Sequence, residues 1–187
     1  MLRRSFVLGA LAAPIVGSLP ASAAPSAELL PKPAMDKRGF YIEDWLHNSS
    51  GDLGQDVAIA KAAGKPLAIL WEMVPCPFCT QLHEEVLVIP EMRAYVAERF
   101  YTMRLDMRGT EPVVDFNGAH RSQRDIASAR RVLGTPTFSF LDGNRKELAR
   151  LQYLPQKIML AGFQFIDEGG YLKTDLNTFI RRKIAQG

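Results

Sequence analysis

Cysteine and histidine are both scarce in this sequence. The 187 residues include two cysteines, Cys76 and Cys79, and three histidines. A structural zinc site takes four ligands, and no second Cys/His cluster is present to complete one. The sequence also has no G-x-G-x-x-G motif after a predicted strand, so the usual dinucleotide-binding loop is excluded.

Long apolar runs are lacking as well. The run over residues 6–19 is shorter than the roughly 20 residues that a bilayer requires, and a proline and a glycine interrupt it. Basic residues precede this run and small residues follow it, which predicts a secretory signal over residues 1–23. The pair Arg3-Arg4 is compatible with either the Tat or the Sec route. We therefore expect the protein to work in the periplasm, where disulfides persist.

Net charge is low once the predicted signal is set aside. Residues 24–187 carry 21 basic and 20 acidic side chains, a net charge of +1. This balance offers no electrostatic attraction for nucleic acid or for an anionic membrane. The composition is that of a globular protein, and we predict an N-terminal extension over residues 24–51 followed by one domain over residues 52–187.

The hydrophobic pattern predicts an α/β domain. Helices and strands are expected at 52–66 (helix), 67–71 (strand), 76–87 (helix), 90–100 (helix), 100–107 (strand), 122–134 (helix), 135–151 (β-hairpin) and in two C-terminal helices. Residues 108–122 are predicted to be a polar loop or small insertion, and Leu133 is placed on the apolar face of its helix. This order predicts a central mixed β-sheet flanked by helices, with a C-terminal helical tail.

Three explanations exist for two cysteines separated by only two residues. A structural crosslink is disfavoured because the closed loop is too short to restrict the unfolded chain much. A metal site is a second possibility, since Cys76, Cys79 and His83 form C-x2-C-x3-H and His83 lies one helical turn after Cys79. The other interpretation of His83 is a polar residue on an exposed helix face.

A redox-active pair is the explanation that the surrounding residues favour. The pair lies where a strand ends and a helix begins, and Pro77 suits the first helical position. Cys76 then becomes the helix N-cap, where free amides and the helix dipole stabilise a thiolate. Cys79 lies inside the helix and can attack the mixed disulfide that Cys76 forms with a partner.

A second motif, Thr135-Pro136 before the hairpin strand, completes a resemblance to the thioredoxin superfamily. The strand, the CxxC pair at a helix start and the later Thr-Pro together resemble that family over residues 64–140. The resemblance implies a thioredoxin fold in which Cys76 is the exposed nucleophile and Cys79 resolves. It also implies that Pro136 is a cis proline packed against the pair, and that Thr135 lines the partner-binding groove with its backbone.

Longer segments resemble the SoxW-type exported thioredoxins of bacterial sulfur oxidation. They are GKPLAILWEMVPCPFCTQLHEEVL, FYTMRLDMRGTEPVVDFNG, ARRVLGTPTFSFLDGNRKELARLQYLP and FQFIDEGGYLKTDLNTFIRRK. This resemblance implies a reductant of periplasmic protein disulfides that receives electrons from a membrane carrier, with a sulfur-carrier protein as one partner. We expect no bound cofactor, because the two sulfurs carry the electrons, and we expect a monomer.

The sequence departs from ordinary thioredoxins around the pair. Pro77-Phe78 separates the cysteines, and Leu70 stands where thioredoxins carry a buried aspartate. Glu72 lies two residues later on the same strand face, either as the proton acceptor for Cys79 or as a solvated loop carboxylate. Phe78 is interpreted either as a partner contact or as core. These departures leave an oxidase or isomerase as an alternative, and a copper-binding protein using Cys76, Cys79 and His83 as another.

Overall fold

The computed structural model describes residues 28–186. The predicted signal over residues 1–23 lies outside these residues and stays a prediction. Strands and helices follow in the order α1 (Leu53–Ala62), β1 (Leu67–Glu72), α2 (Pro77–Gln81) with a π-helical continuation (Leu82–Val86), α3 (Pro90–Arg99), β2 (Tyr101–Asp106), β3 (Pro112–Val114), β4 (His120–Ser122), α4 (Gln123–Ala129), β5 (Thr137–Leu141), β6 (Glu147–Gln152), α5 (Gln156–Asp167), a 3-10 turn (Gly170–Leu172) and α6 (Leu176–Gln186).

A four-stranded mixed sheet in the order β2-β1-β5-β6 forms the centre of the molecule. Strand β1 pairs in parallel with β2 and antiparallel with β5, and β6 pairs antiparallel with β5. Helices flank this sheet, so the predicted fold class is confirmed. Residues 108–122 are not only loop, because β3 and β4 form a small hairpin there. Each of these strands has three residues, too few for alternation to reveal them.

Local capping explains where the helices begin and end. Asp52 caps α1 by accepting hydrogen bonds from the amides of its first turn, and Gly64 follows with a φ of +69° that favours glycine. Ser122 caps α4 in the same way. That helix ends at Ala129, earlier than predicted, and Arg131 follows in a left-handed conformation with a φ of +54°. The prediction that Leu133 lies on a buried face is therefore wrong: Leu133 is 87% exposed.

The core divides between the two faces of the sheet. Side chains alternate along β1, so Ala68 and Leu70 pack on the face covered by the π-helical continuation of α2, α3 and α5, while Trp71 packs on the other face with α1 and α4. Four phenylalanines fill the first face with ring centroids 5.0–6.1 Å apart: Phe100, Phe138, Phe140 and Phe163. By the same alternation Glu72, the last residue of β1, points towards α2.

The N-terminal extension packs against the domain from residue 28 onwards. Met35 and Tyr41 form an isolated antiparallel bridge, and His47 forms a parallel bridge with Met103 of β2. Phe40, Tyr41 and Glu43 are buried. Within residues 28–186, none of the helices combines the length and the apolar character that crossing a membrane demands.

Candidate functional site

The two cysteines form a disulfide at the carboxyl end of β1. Their Cα atoms are 5.2 Å apart, and Cys76 is the N-cap of α2 with Pro77 in the first turn, as the sequence predicts. The amide of Cys79 donates a hydrogen bond to Cys76 Sγ at 3.0 Å. Cys76 is 9% exposed and Cys79 is 5% exposed, so Cys76 is the more accessible sulfur by a small margin. A thiolate on Cys76 would receive the same amide hydrogen bond.

Thr135 and Pro136 lie directly across from Cys76. The Thr135 hydroxyl donates to Cys76 Sγ at 3.2 Å, and the Thr135 carbonyl oxygen is 3.6 Å from the same sulfur. The Val74–Pro75 and Thr135–Pro136 peptide bonds are both cis. The segment before β5 thus meets the redox pair although 59 residues separate Thr135 from Cys76 in the sequence.

An open groove, which we call the outer groove, lies next to Thr135, the residue that contacts Cys76. It has a volume of about 260 Å³ and is lined by Phe78, Gly134, Thr135, Pro136, Gln152 and Tyr153. Phe78 is 56% exposed and its ring lies 5.6 Å from that of Tyr153. The interpretation of Phe78 as core is therefore wrong. No acidic or basic side chain lines this groove among the described residues, so it presents a neutral, partly apolar surface.

A buried ionic cluster lies on the other side of the pair. His83 Nε2 is 2.8 Å from Glu72 Oε1, and His83 Nδ1 is 2.8 Å from Glu43 Oε1. The His83 and Glu43 side chains are 0% exposed and that of Glu72 is 2% exposed. Two sequence interpretations are therefore wrong. Glu72 is not a solvated loop carboxylate, and His83 does not lie on an exposed helix face, because the N-terminal extension covers both residues.

Charged neighbours decide the protonation of His83. Burial by itself lowers the pKa of His83, but hydrogen bonds to Glu43 and Glu72 and the charges of these carboxylates outweigh burial and raise the pKa above its ordinary value. Arg93 Nη2 lies 3.5 Å from Glu43 Oε2, and Arg104 Nη1 lies 3.7 Å from Glu72 Oε2. Each buried carboxylate therefore has, besides His83, a partly exposed arginine near its Oε2 oxygen.

Glu72 shares a cleft with both cysteines. This cleft, which we call the inner cleft, has a volume of about 200 Å³, with Glu72, Cys76 and Cys79 on one side and Phe40 and Tyr41 of the extension on the other. Glu72 Oε2 is buried and has no hydrogen-bond partner within residues 28–186. A buried polar atom without a partner is uncommon in native proteins and often marks a functional group.

The copper alternative requires His83 to coordinate a metal together with the cysteines. Both ring nitrogens of His83 are already engaged by carboxylates, and the ring is stacked on Tyr41 with centroids 4.6 Å apart. The geometry therefore does not favour a site that uses all three residues.

Sequence reasoning missed two members of this site, Tyr41 and Glu43. Both lie in an irregular segment, and Glu43 meets a histidine 40 residues away. No local spacing relates the two residues. The one available signal was the position of His83 one turn after Cys79, and without Glu43 that position left an exposed polar residue or a metal ligand as the two interpretations.

Comparison with known families identifies the domain. A family model described as a thioredoxin-like domain matches residues 53–166, more than half of the chain. The chain therefore belongs to the thioredoxin-like family. Comparison with curated protein sequences gives no match.

Solved structures show the same fold. A thioredoxin-fold protein from Helicobacter pylori matches with a TM-score of 0.57 and 21% identity, covering 72% of this chain and 96% of that protein. A thioredoxin from Thermus thermophilus matches with a TM-score of 0.50 and 25% identity, covering 64% and 85%. The oxidised C-terminal domain of DsbD from Neisseria meningitidis has a TM-score of 0.45 at 15% identity, covering 61% and 90%.

Proposed function

We propose that this protein is a periplasmic thiol-disulfide oxidoreductase that reduces disulfides of partner proteins. The observation that carries the proposal is the placement of the Cys76–Cys79 disulfide at the start of α2, with Cys76 beside Thr135 and the outer groove. The fold shared with a thioredoxin from Thermus thermophilus supports the same chemistry.

The reaction proceeds in two exchanges. The Cys76 thiolate attacks one sulfur of the partner disulfide; that bond breaks, and the other partner sulfur leaves as a thiolate that takes a proton from water. Cys79 then gives its proton to Glu72 Oε2 and attacks Cys76 Sγ, which forms the Cys76–Cys79 disulfide and releases the second partner thiolate. Two electrons pass from the cysteine pair to the partner, so no bound cofactor is needed.

In our proposal each residue around the pair has its own role. Pro77 lets α2 begin directly after Cys76, and the amide of Cys79 stabilises the Cys76 thiolate. In our proposal the Thr135 backbone and Pro136 hold the partner segment in the outer groove. Phe78 contributes an exposed apolar surface next to the attacking sulfur.

The electrons must come from another protein. We propose a membrane carrier as the donor, in keeping with the resemblance to SoxW-type exported thioredoxins, and periplasmic disulfide proteins, including a sulfur-carrier protein, as acceptors. Export by the predicted signal, through the Tat or the Sec route, places the protein in that compartment. The proposal treats the protein as a monomer that binds no nucleic acid.

The reduction potential of the Cys76–Cys79 pair is the test of direction. The full chain is equilibrated in graded thiol-disulfide buffers, and the free thiols are trapped and counted. We expect a potential near that of thioredoxins, about −270 mV. A value near that of strong oxidants, about −120 mV, would make the protein an oxidase or isomerase instead. If no disulfide forms at any potential, the redox function itself is lost and metal titration becomes the next measurement.

A further inference from the structure

The buried ionic cluster contains a histidine that the mechanism above does not use. Its three members are Glu43, His83 and Glu72, which we call the buried triad, and Glu72 lines the inner cleft together with Cys79. We propose that His83 is a positioning residue: held as a doubly protonated imidazolium between Glu43 and Glu72, it keeps Glu72 ionised, with Oε2 free to take the proton of Cys79. This inference rests on the proposed reduction mechanism and deepens it.

With Glu43 and Glu72 both ionised, the two hydrogen bonds at His83 need protons on both ring nitrogens. A neutral imidazole has one N–H, so one of the two 2.8 Å contacts would set a lone pair against a carboxylate oxygen. An imidazolium donates to Glu43 Oε1 and to Glu72 Oε1 at the same time. Each carboxylate then makes a charge-assisted hydrogen bond, the stronger kind.

Charge compensation favours the same protonation state. Burying two carboxylates at 0–2% exposure is costly unless cations accompany them. The charged and titratable groups around His83 come from five elements. The extension supplies Tyr41 and Glu43, β1 supplies Glu72, the π-helical turn supplies Glu84, α3 supplies Arg93 and β2 supplies Arg104. Arg93 is near Glu43 and Arg104 is near Glu72, whereas His83 contacts both buried carboxylates.

The hydrogen-bond pattern leaves one oxygen for chemistry. Glu72 Oε1 is occupied by His83, while Oε2 makes no hydrogen bond within residues 28–186 and belongs to a residue that lines the inner cleft with Cys79. The fixed imidazolium prevents Glu72 from turning and from holding a proton before Cys79 releases one. When the pair is reduced again by an electron donor, the proton on Oε2 returns to Cys79.

The N-terminal extension is part of this arrangement. Glu43 supplies the second carboxylate, and Tyr41 stacks on the His83 ring while its hydroxyl donates to Glu84 Oε1 at 2.6 Å. Both residues precede the region that matches the thioredoxin-like family. In this protein the extension therefore positions a histidine within the catalytic domain.

The test follows the second exchange by itself. Reduced full-length protein is mixed with 5,5′-dithiobis(2-nitrobenzoate); the first thionitrobenzoate is released when Cys76 attacks, and the second when Cys79 resolves. We expect His83→Gln to move the pH midpoint of the second phase upward by about one to three units, since Glu72 loses the nearer of its two adjacent cations and keeps only Arg104. Glu85→Gln is the matched control, because this exposed carboxylate lies in the same π-helical turn and should leave the midpoint in place.

The outcomes separate this inference from the mechanism on which it rests. Glu72→Gln should slow the second phase at neutral pH by about 100-fold or more, as expected when a proton acceptor is removed. If Glu72→Gln slows that phase but His83→Gln leaves its pH midpoint unchanged, the role of His83 is wrong and that of Glu72 stands. If neither variant affects the second phase, both roles fail. If the wild-type protein shows no second phase, the dithiol mechanism itself is wrong.

A spectroscopic readout covers the case in which His83→Gln does not fold. In full-length protein with ¹⁵N-labelled histidine, both ring nitrogens of His83 should be protonated at about pH 6, below the ordinary histidine pKa, and remain so above it. Glu43→Gln should lower the midpoint of His83 deprotonation by about one unit or more. A His83 ring with one unprotonated nitrogen at about pH 6 overturns the proposal.

Discussion

The two sides of the Cys76–Cys79 disulfide differ in burial and in charge. The outer groove beside Thr135 is open, and none of its described lining residues is ionisable at neutral pH. Behind Cys79, the buried triad places three ionisable side chains at 0–2% exposure. In the proposed mechanism Cys76 receives a partner protein and Cys79 loses a proton. The contrast teaches that the surroundings of one short motif differ in charge and burial from one side to the other, although both cysteines line the inner cleft.

Removing either sulfur should have the largest effect on this comparison. Cys76→Ser should abolish disulfide reduction, with a loss of about 1,000-fold or more, because the attacking sulfur beside Thr135 is then missing. Cys79→Ser should still attack a partner but stop at the mixed disulfide, which intact-mass analysis detects. Turnover by Cys79→Ser close to that of the wild type would show that Cys79 does not resolve.

Truncating a member of the buried triad should have the next largest effect, and this effect is on the free energy of unfolding. His83→Ala leaves Glu43 and Glu72 buried without their shared cation and should lower the free energy of unfolding by about 3–5 kcal/mol. Urea denaturation measures this loss. Glu85→Ala, an exposed change in the same turn, should stay within about 0.5 kcal/mol of the wild type. Equal effects of the two variants would mean that the triad makes no special contribution.

The pH dependence of the free energy of unfolding should be a further difference between the buried triad and the outer groove. Because the pKa of His83 is raised in the folded protein, its contribution to stability is fully present below its ordinary pKa of about 6.5 and is lost as the pH rises through the higher folded value. The free energy of unfolding should therefore decline with rising pH in that window. His83→Gln should remove the decline, while His120→Gln, an exposed histidine on β4, should retain it.

The smallest expected effect belongs to the outer groove. Phe78→Ser removes a half-exposed ring next to Cys76 and should raise KM for a protein disulfide by up to about tenfold, equivalent to about 1.4 kcal/mol. Stability should change by no more than about 0.5 kcal/mol. Leu172→Ser removes an even more exposed apolar side chain outside the groove and serves as the control. An identical KM for both variants would argue against partner contact at Phe78.

The sequence predicted the fold better than it predicted the surroundings of Cys79. The strand before the pair, Pro77 at the helix start and the hairpin after Pro136 are local patterns, so spacing and capping rules locate them. The contact between His83 and Glu43 joins segments 40 residues apart, and the extension that carries Glu43 has little regular structure. Leu133 was misplaced because α4 ends at Ala129, before its apolar pattern does, and the positive φ of Arg131 takes the chain out of the helical path.

The position of Glu43 also affects where the chain can be truncated. The matched family region begins at residue 53, ten residues after Glu43. A fragment cut at that boundary would keep every strand of the central sheet and both cysteines, yet it would expose His83 and Glu72 to water. If the buried triad acts as we propose, the smallest transferable redox module is longer than the matched domain and includes the segment around Tyr41 and Glu43.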